Sequence, residues 1–224
     1  MKVLLFGATG MVGQGVVREC LLDPQIRAVT TVGRSATGVA NPKLREIVHQ
    51  DLLHYDSIQA ELSGFDACFF CLGVSSAGMK EADYERLTYG ITLAAANALC
   101  PGSPGMTFVY VSGVGTDSSE KGGVMWARVK GKTENALLRL PFKAAFLFRP
   151  GFIRAAHGER SRTTAYRLGY ILMTPLIPIL SRLFPKQVLT TEQIGRAMIS
   201  VAQHGALKPI LEPPDIRAAA ESSF

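Results

Sequence analysis

The sequence MKVLLFGATGMVGQGVVRECLL, residues 1–22, determines the predicted fold. Lys2–Phe6 is a short apolar run that predicts a buried β-strand. Gly7, Gly10 and Gly13 follow in the spacing G-x-x-G-x-x-G, and the next residues place apolar side chains at four-residue intervals, as one face of a helix does. The stretch therefore predicts a strand, a glycine-rich turn and a helix that packs on the same sheet.

The three glycines predict a binding site for the diphosphate of a dinucleotide. Gly7 permits a tight turn, Gly10 allows the backbone to approach a pyrophosphate, and Gly13 allows the helix to pack closely on the strand. The first turn of the helix also supplies unpaired N–H groups and a partial positive charge, which attract phosphate. We expect the cofactor contacts of this turn to come from Gly7, Thr9, Gly10, Met11, Val12 and Gly13.

The rest of the chain alternates strand-length apolar runs with helical patterns. Five further runs predict strands: Ala28–Val32, Arg45–His49, Asp66–Leu72, Met106–Val111 and Lys143–Phe148. Near-continuous apolar strands separated by helices are typical of a parallel sheet that is covered on both faces. We therefore predict an α/β fold with a doubly wound parallel sheet, the Rossmann fold. We expect a single NAD(P)-binding domain over residues 1–224, in which residues 151–189 form a small C-terminal extension on the substrate side.

Two helices are also marked by their ends. Asp23-Pro24 closes the helix that follows the glycine turn. Near the other end of the chain, Thr190 followed by Gln193 resembles a capping box, which predicts a helix through about His204.

The composition is that of a globular protein of a reducing compartment. The chain has 224 residues, of which 47% are hydrophobic and 19% are charged, and this balance argues against a disordered chain. Folding at this length buries about 70% of the surface of the chain. Its four cysteines are scattered, and no basic segment with an apolar signal core precedes the first strand. We therefore expect a cytoplasmic protein.

The end of the second predicted strand indicates which dinucleotide is preferred. A site that prefers NAD places an acidic residue there, against the ribose 2′-hydroxyl. This chain instead reads Val32-Gly33-Arg34-Ser35. A guanidinium can pair with a 2′-phosphate, and the Ser35 hydroxyl can donate to the same phosphate. The sequence therefore predicts NADP(H) in preference to NAD(H), with contacts from Arg34 and Ser35.

Most of the chain resembles the atypical short-chain dehydrogenase/reductases. The resemblance is carried by the glycine turn, Arg34, Asp51-Leu52, Leu72-Gly73, Ser112, Lys130 and Arg149-Pro150-Gly151. Within that family the chain is most similar to nucleoside-diphosphate-sugar epimerase-like proteins and to the Tat-interacting oxidoreductase-like branch. The resemblance implies that Asp51 and Leu52 lie at the adenine edge and that Gly73 lies beside the dinucleotide. It places Pro150, Gly151, Phe152 and Ile153 near the nicotinamide.

The resemblance also implies a catalytic serine and a catalytic tyrosine, with a lysine four residues after the tyrosine. Ser112 and Lys130 match, so Ser112 is expected to polarise the substrate oxygen and Lys130 to hold the nicotinamide ribose. Trp126 stands at the tyrosine position, and an indole N–H does not replace a phenol as an acid because it does not titrate usefully. Other proton donors to consider are Tyr110, Tyr84, Tyr89, Lys130 and ordered water.

Two functions stay open from the sequence. The first is an NADP(H)-dependent oxidoreductase or epimerase-like enzyme that acts on a small carbonyl or alcohol compound. The second is a catalytically impaired NADP(H)-binding protein with a regulatory or interaction role. The presence of both Ser112 and Lys130 favours the first function, whereas Trp126 favours the second.

The positive charge of the chain is concentrated in one segment. The formal net charge is +6, and Arg139–Lys186 contains nine basic residues and one acid. Because this segment follows the sixth strand, Arg154, Arg160, Arg162 and Arg167 suggest a small anionic substrate. A solvated basic face is the alternative.

Other partners have weaker support. Residues 165–184 are apolar but contain two prolines and bracketing arginines, which predicts a core or subunit-contact segment and no transmembrane helix. Peripheral contact of Tyr170–Leu183 with an anionic membrane is the alternative for this segment. No nucleic-acid-binding module is recognisable, the four histidines show no metal-binding spacing, and the oligomeric state is not predicted.

Overall fold

The computed structural model describes residues 1–159 and 187–222. Within these ranges, seven parallel strands form a sheet in the order β3-β2-β1-β4-β5-β6-β9. They are β1 Lys2–Phe6, β2 Ala28–Gly33, β3 Leu44–Val48, β4 Ala67–Phe70, β5 Thr107–Val111, β6 Ala144–Phe148 and β9 Ile210–Leu211. A second, parallel pair consists of β7 Phe152–Arg154 and β8 Val188–Thr190.

Helices cover both faces of the central sheet. One face packs against α1 Met11–Leu22, α5 Thr191–His204 and α6 Pro213–Glu221. The other packs against α3 Ile91–Leu99, α4 Met125–Leu138 and the 3-10 turn Asp56–Leu62. A short helix, α2 Glu81–Glu85, continues through the π-helical turn Arg86–Gly90 into α3. These three layers confirm the predicted doubly wound α/β fold, the Rossmann fold.

The six predicted strands are confirmed, with ends that differ from the prediction by at most two residues. The predicted capping box is also confirmed, because Thr190 Oγ1 accepts a hydrogen bond from the Gln193 N–H at 3.0 Å. The Thr190 N–H in turn donates to Gln193 Oε1 at 2.9 Å, and the helix ends at His204 as expected. The seventh strand was not predicted, since Ile210–Leu211 is too short to show a periodicity.

The carboxyl ends of the parallel strands meet at one edge of the sheet. The strand order reverses at β1, because β2 and β3 lie on one side of it and β4, β5 and β6 on the other. Such a reversal leaves a crevice at the strand ends, and dinucleotides bind there in Rossmann folds. Loops that follow these strands carry most of the predicted site residues, and the topology therefore brings those residues to the same edge.

The β7–β8 pair joins the two ends of the predicted substrate-side segment, residues 151–189. Ile153 pairs with Leu189 and Arg154 with Thr190, so the chain leaves and returns at the same place. Arg160, Arg162, Arg167 and the segment 170–183 lie outside the described residues. The single-domain organisation and the role of residues 151–189 stay predictions. Neither described range contains a helix with the length and apolar character that a membrane span requires.

Candidate functional site

The glycine turn between β1 and α1 is tightly packed. Gly7 has a φ of +82°, and a Cβ there would lie 2.6 Å from the backbone that follows β4. A Cβ on Gly13 would lie 2.0 Å from the Gly7 carbonyl oxygen, whereas a Cβ on Gly10 would come no closer to that oxygen than 3.4 Å. The Thr9 carbonyl accepts a hydrogen bond from Gln14 Nε2 at 3.0 Å. Packing therefore requires glycine at 7 and 13, while Gly10 has open space beside it.

The first turn of α1 presents unpaired N–H groups beside this space. Gly10 precedes the helix, no side chain caps it, and the first turn carries no acid. In the part of the chain that the structure describes, the N–H groups of Met11, Val12 and Gly13 contact no acceptor. Three donors at the positive end of a helix dipole fit the diphosphate of a dinucleotide.

Arg34 is exposed directly after β2, and Ser35 follows it. The Arg34 carbonyl oxygen accepts a hydrogen bond from Gln50 Nε2 at 2.9 Å, while its guanidinium forms no ion pair with any described residue. On the neighbouring strand, the Glu46 carboxylate is engaged by Thr37, whose N–H donates to it at 2.7 Å. The end of β2 therefore offers a cation, and no acid follows the strand directly.

The loops after β3 and β4 contain Asp51, Leu52 and Gly73, which the resemblance places at the adenine edge and beside the dinucleotide. Leu52 is buried, whereas Asp51 is exposed and hydrogen-bonded to His54 Nδ1 at 2.8 Å. This hydrogen bond lowers the pKa of Asp51 and raises the pKa of His54. Gly73 is exposed after β4, and a Cβ there would meet no atom within 4 Å. The backbone at Gly73 is therefore open to a neighbouring molecule.

Ser112 follows β5, and its hydroxyl is held by Thr116. Ser112 Oγ lies 3.0 Å from Thr116 Oγ1, and Thr116 Oγ1 donates to the Gly113 carbonyl at 2.7 Å. A threonine hydroxyl has one proton, and here it goes to Gly113. The proton between the two hydroxyls therefore belongs to Ser112. In this arrangement Ser112 donates to Thr116 and has only acceptor capacity left for another group.

Trp126 lies against the same turn. It is the second residue of α4, and a Cβ on Gly115 would lie 3.5 Å from Cη2 of its indole. Gly115 has a φ of +85°, which favours glycine at this position. The indole therefore packs on the turn that holds Ser112 and Thr116, on the side from which the resemblance expects a phenol.

Lys130 lies one turn further along α4, above β5. Its Nζ is 5.3 Å from the centroid of the Tyr110 ring. Tyr110 shares a sheet face with Ser112, because the two are separated by two positions along the chain. Burial lowers the pKa of Lys130 to about 8, and the Glu134 carboxylate opposes this shift. Within residues 1–159 and 187–222, no oxygen accepts a hydrogen bond from Lys130 Nζ.

Glu134 is fully buried and pairs with Arg149 at the end of β6. Arg149 Nε donates to Glu134 Oε1 at 3.0 Å, and Nη2 donates to Oε2. Nη2 also donates to Ser118 Oγ at 2.6 Å, and Nη1 lies 3.5 Å from Glu212 Oε1. The hydrogen bonds to Glu134 raise the pKa of Arg149. One guanidinium thus connects β6, α4, the loop after β5 and the start of α6.

Gly131 allows the loop after β5 to pack directly on α4. A Cβ on Gly131 would lie 1.8 Å from the Asp117 carbonyl oxygen. The Asp117 carboxylate in turn accepts hydrogen bonds from the N–H groups of Ser119 and Lys121 at 3.0 Å and of Gly122 at 2.6 Å. The loop is therefore fixed against the helix that carries Trp126 and Lys130.

Pro150, Gly151 and Ile153 lie between β6 and the end of β7. The Pro150 carbonyl accepts a hydrogen bond from the Val114 N–H at 3.0 Å, so the loops after β5 and β6 are in contact. A Cβ on Gly151 would lie 2.7 Å from the Gln187 carbonyl oxygen. Ile153 packs against the core that contains α1 and α5. The residues implied for the nicotinamide neighbourhood thus lie beside the turn that begins at Ser112.

Arg154 and His157, which follow Gly151 in the sequence, take different positions. Arg154 and Phe152 are exposed in β7, and Arg154 is the described member of the predicted anion-binding set. His157 Nε2 lies 2.9 Å from Glu192 Oε2, which places it in a charged cluster on α5. No group of three or more His, Cys, Asp or Glu side chains in the described ranges could hold a metal ion.

Three residues that shape this site are not among those predicted from the sequence. They are Thr116, Gly131 and Glu134. A glycine inside a helical pattern is a recognisable sign of close packing, and Gly131 was therefore open to prediction. Glu134 lies one helical turn after Lys130, but the sequence does not show that it faces Arg149. The bond from Ser112 to Thr116 depends on the shape of a turn and has no pattern in the sequence.

Comparisons with curated proteins identify relatives over most of the chain. Protein FMP52-1, mitochondrial, of Scheffersomyces stipitis is 26% identical over 194 residues, which cover 84% of this chain and 84% of that protein. Protein fmp52, mitochondrial, of Emericella nidulans is 29% identical over 168 residues, covering 72% and 70%. Both names contradict the cytoplasmic location expected above, and that expectation is wrong. Scattered cysteines argue against an oxidising compartment but do not distinguish between the reducing ones.

Solved structures of proteins from Francisella tularensis and Bordetella bronchiseptica have the same fold. A short chain dehydrogenase family protein from Francisella tularensis has a TM-score of 0.67 at 16% identity, covering 94% of this chain and 96% of that one. The Bordetella bronchiseptica enzyme WbmF in complex with NAD+ has a TM-score of 0.66 at 15% identity, covering 99% and 78%. At these identities the likeness concerns the fold alone.

A family described as NAD(P)H-binding matches residues 7–137, more than half of the chain. The match begins at the first glycine of the turn and ends in α4, so it includes the unpaired N–H groups, Arg34, Ser112 and Lys130. The chain belongs to this NAD(P)H-binding family and has the Rossmann fold of the atypical short-chain dehydrogenase/reductases.

Proposed function

We propose that the chain is an NADP(H)-dependent oxidoreductase or epimerase-like enzyme that acts on a small carbonyl or alcohol compound. One observation carries the proposal: the open space at Gly10 and the unpaired N–H groups of α1 lie at the same sheet edge as Ser112 and Lys130. When a cofactor is bound at Gly10 and the N–H groups of α1, a substrate beside its nicotinamide would place its oxygen near Ser112 and Lys130.

Each group of site residues has a separate role in the proposed reaction. When bound, the nicotinamide supplies or accepts a hydride. The N–H groups of Met11, Val12 and Gly13 bind the diphosphate, and Lys130 holds the nicotinamide ribose. To polarise the substrate oxygen, the Ser112 hydroxyl must turn its proton away from Thr116 and toward that oxygen. The Trp126 indole covers one side of the turn that positions Ser112, and so limits the access of water there.

A preference for NADP(H) is supported by the end of β2. Arg34 is exposed there and has no ion pair within the described residues, while the nearby Glu46 is engaged by Thr37. An added 2′-phosphate gains charge-assisted hydrogen bonds from such a guanidinium. The ribose hydroxyl of NAD(H) gains no comparable partner, because no carboxylate follows β2.

We expect the Arg34→Glu variant to lose this preference. Its affinity for NADPH should fall by about 10- to 100-fold, because hydrogen bonds to a charged group contribute about 1.5–3 kcal/mol. Its affinity for NADH should stay the same or rise, because the new carboxylate can accept a hydrogen bond from the ribose 2′-hydroxyl. Calorimetry with both nucleotides measures the two changes. Arg27→Glu, an equal change of charge at the opposite end of β2, is the matched control. A variant at Arg34 that keeps its NADPH preference would refute the assignment.

Anionic character of the substrate is part of the proposal. Arg154 is exposed in β7, next to residues that lie beside the Ser112 turn, and three more arginines follow it in the sequence. A carboxylate or phosphate on the substrate is the complementary group.

A second candidate function is a catalytically impaired NADP(H)-binding protein with a regulatory role. One observation favours it: Trp126 packs where the resemblance expects a phenol, and Ser112 donates its proton to Thr116. Cofactor binding does not require either group, so a chain that only reports the nucleotide state would be unaffected by both changes.

The Trp126→Tyr variant separates the two candidates. For an enzyme with its own proton supply, we expect wild-type NADPH oxidation with a panel of small carbonyl compounds, and a change of less than about tenfold in the variant. A gain of about 10²–10⁴-fold over an inactive wild type is the value of one positioned general acid, and it would favour the regulatory protein. Trp126→Phe is the control, because it removes the indole without adding a hydroxyl.

A further inference from the structure

The site contains few groups that can release a proton to a substrate oxygen. Ser112 gives its proton to Thr116, and the indole of Trp126 does not titrate. Tyr110 is buried beneath the site, where burial raises its pKa, and its ring packs 6.1 Å from that of Phe70. Of the lysines on α4 and in the loop after β5, Lys121 is exposed and Lys132 pairs with Glu85, whereas Lys130 lies over the Tyr110 ring. Lys130 is therefore the candidate proton donor.

Lys130 is an ammonium group without a carboxylate partner. Glu134 lies one turn away, but its two oxygens are taken by Arg149. Lys130 Nζ instead lies over the Tyr110 ring, at 5.3 Å. A cation held by an aromatic face and not by an ion pair gives up its proton more easily, because no negative charge is left behind unpaired.

The charged groups on the neighbouring elements do not supply such a partner either. On α2, Glu81 and Glu85 are engaged by Arg128 and Lys132, with shortest distances of 2.8 Å and 2.5 Å. Arg149, which follows β6, is positively charged and therefore disfavours a second positive charge nearby. The third acid of α2, Asp83, is exposed, and the phenols on β5 and α2, Tyr110 and Tyr84, are both buried. Glu134 therefore supplies the nearest negative charge, and it is shared with Arg149.

We propose that Lys130 donates the proton to the substrate oxygen, the role that the resemblance assigns to a tyrosine. This inference rests on the proposed function. In the reductive direction, the carbonyl carbon gains a hydride and the electron pair of the C=O π bond moves to oxygen. The oxygen then takes one proton from Lys130 Nζ, the carbonyl is reduced and the dihydronicotinamide is oxidised. The neutral amine regains its proton from water.

The proposal predicts a pH dependence with a defined sign. The donor is active while Nζ is protonated, so reduction is constant below the pKa of Lys130 and falls above it, with a midpoint near 8. Oxidation of an alcohol needs the neutral amine and rises over the same range. The pH profile of reduction is measured with p-nitrobenzaldehyde and NADPH, and that of oxidation with p-nitrobenzyl alcohol and NADP+.

Chemical labelling tests the protonation of Lys130 without turnover. Acetic anhydride modifies neutral amines, and mass spectrometry of the full chain with its nucleotide measures the labelling of each lysine as the pH rises. We expect Lys130 to reach half of its maximal reactivity near pH 8, below the exposed reference Lys121. Equal pH dependence of Lys130 and Lys121 would overturn the proposal.

The Lys130→Arg variant separates proton donation from ribose binding. Arginine keeps the positive charge but does not release a proton near neutral pH. We expect reduction at saturating NADPH to fall by about 10²–10⁴-fold, and NADPH affinity to fall much less, because arginine can still donate hydrogen bonds to the ribose. Trp126→Tyr in the same chain should restore activity, because it returns a phenol to the site. An affinity that falls in proportion to activity would show that Lys130 only positions the ribose. A wild type that binds no NADPH would instead refute the proposed function, and the labelling would still report on Lys130.

Discussion

The Gly13→Ala variant is expected to lose about 3 kcal/mol of unfolding free energy and its measurable affinity for NADPH. The added Cβ would lie 2.0 Å from the Gly7 carbonyl oxygen, so either α1 or the turn must move. Overpacking of this kind costs about 1–3 kcal/mol, and a clash with backbone belongs at the upper end because no side chain can rotate away. Movement of α1 also displaces the N–H groups that are proposed to bind the diphosphate. Urea unfolding and calorimetry measure the two losses.

Gly10→Ala is the matched control in the same turn. Its Cβ would come no closer than 3.4 Å to the Gly7 carbonyl, and Gly10 has a φ of −80°, which alanine adopts readily. Gly10 is the N-cap of α1, where alanine is less favourable than glycine, so we expect the unfolding free energy of the variant to fall by no more than about 1 kcal/mol. Its NADPH affinity should fall by at least about tenfold, because the methyl group occupies space needed by the pyrophosphate. Equal stability of the Gly13→Ala variant and the wild type would contradict the packing described here.

The Glu134→Ala variant is expected to lower the free energy of unfolding by about 3–5 kcal/mol. Glu134 is fully buried, and its removal leaves the Arg149 guanidinium with one hydroxyl and a more distant carboxylate as partners. The cost of breaking a buried ion pair is large because the remaining charge stays in an apolar environment. Urea unfolding of the purified variant measures the loss.

A double replacement shows whether the buried charge is the cause. In the Glu134→Leu, Arg149→Met variant no charge remains to be desolvated, and apolar replacements of a buried pair are often neutral or stabilising. We therefore expect the double variant to be more stable than Glu134→Ala. If the two variants are equally unstable, the loss arises from packing and not from an unpaired cation.

The sheet could be predicted because its strands are buried on both faces. Runs such as Ala67–Phe70 have no polar alternation, and the glycine turn identified the first of them. The helix at Thr191–His204 was found from its cap, since Thr190 and Gln193 carry a local pattern. Short elements gave no such pattern: β7 and β8 pair across more than thirty residues, and each has three residues.

The cofactor half of the candidate site was more accessible to sequence reasoning than the substrate half. Diphosphate contacts come from consecutive backbone groups, so Gly7, Gly10 and Gly13 mark them directly. The surroundings of Ser112 and Lys130 depend on contacts between distant segments. The proton of Ser112 is directed by Thr116 through a turn, and the charge near Lys130 is set by the engagement of Glu134 with Arg149. Neither arrangement has a local pattern.

Calorimetric titration of the purified full chain with NADPH and NADH shows whether the glycine turn and the first turn of α1 bind a dinucleotide. We predict one nucleotide bound per chain, with NADPH bound at least about tenfold more tightly, because the proposed contact of Arg34 with the 2′-phosphate adds charge-assisted hydrogen bonds. Binding should be weakened in Gly10→Ala. If a folded wild-type chain bound neither nucleotide, the assignment of the glycine turn to dinucleotide binding would be wrong.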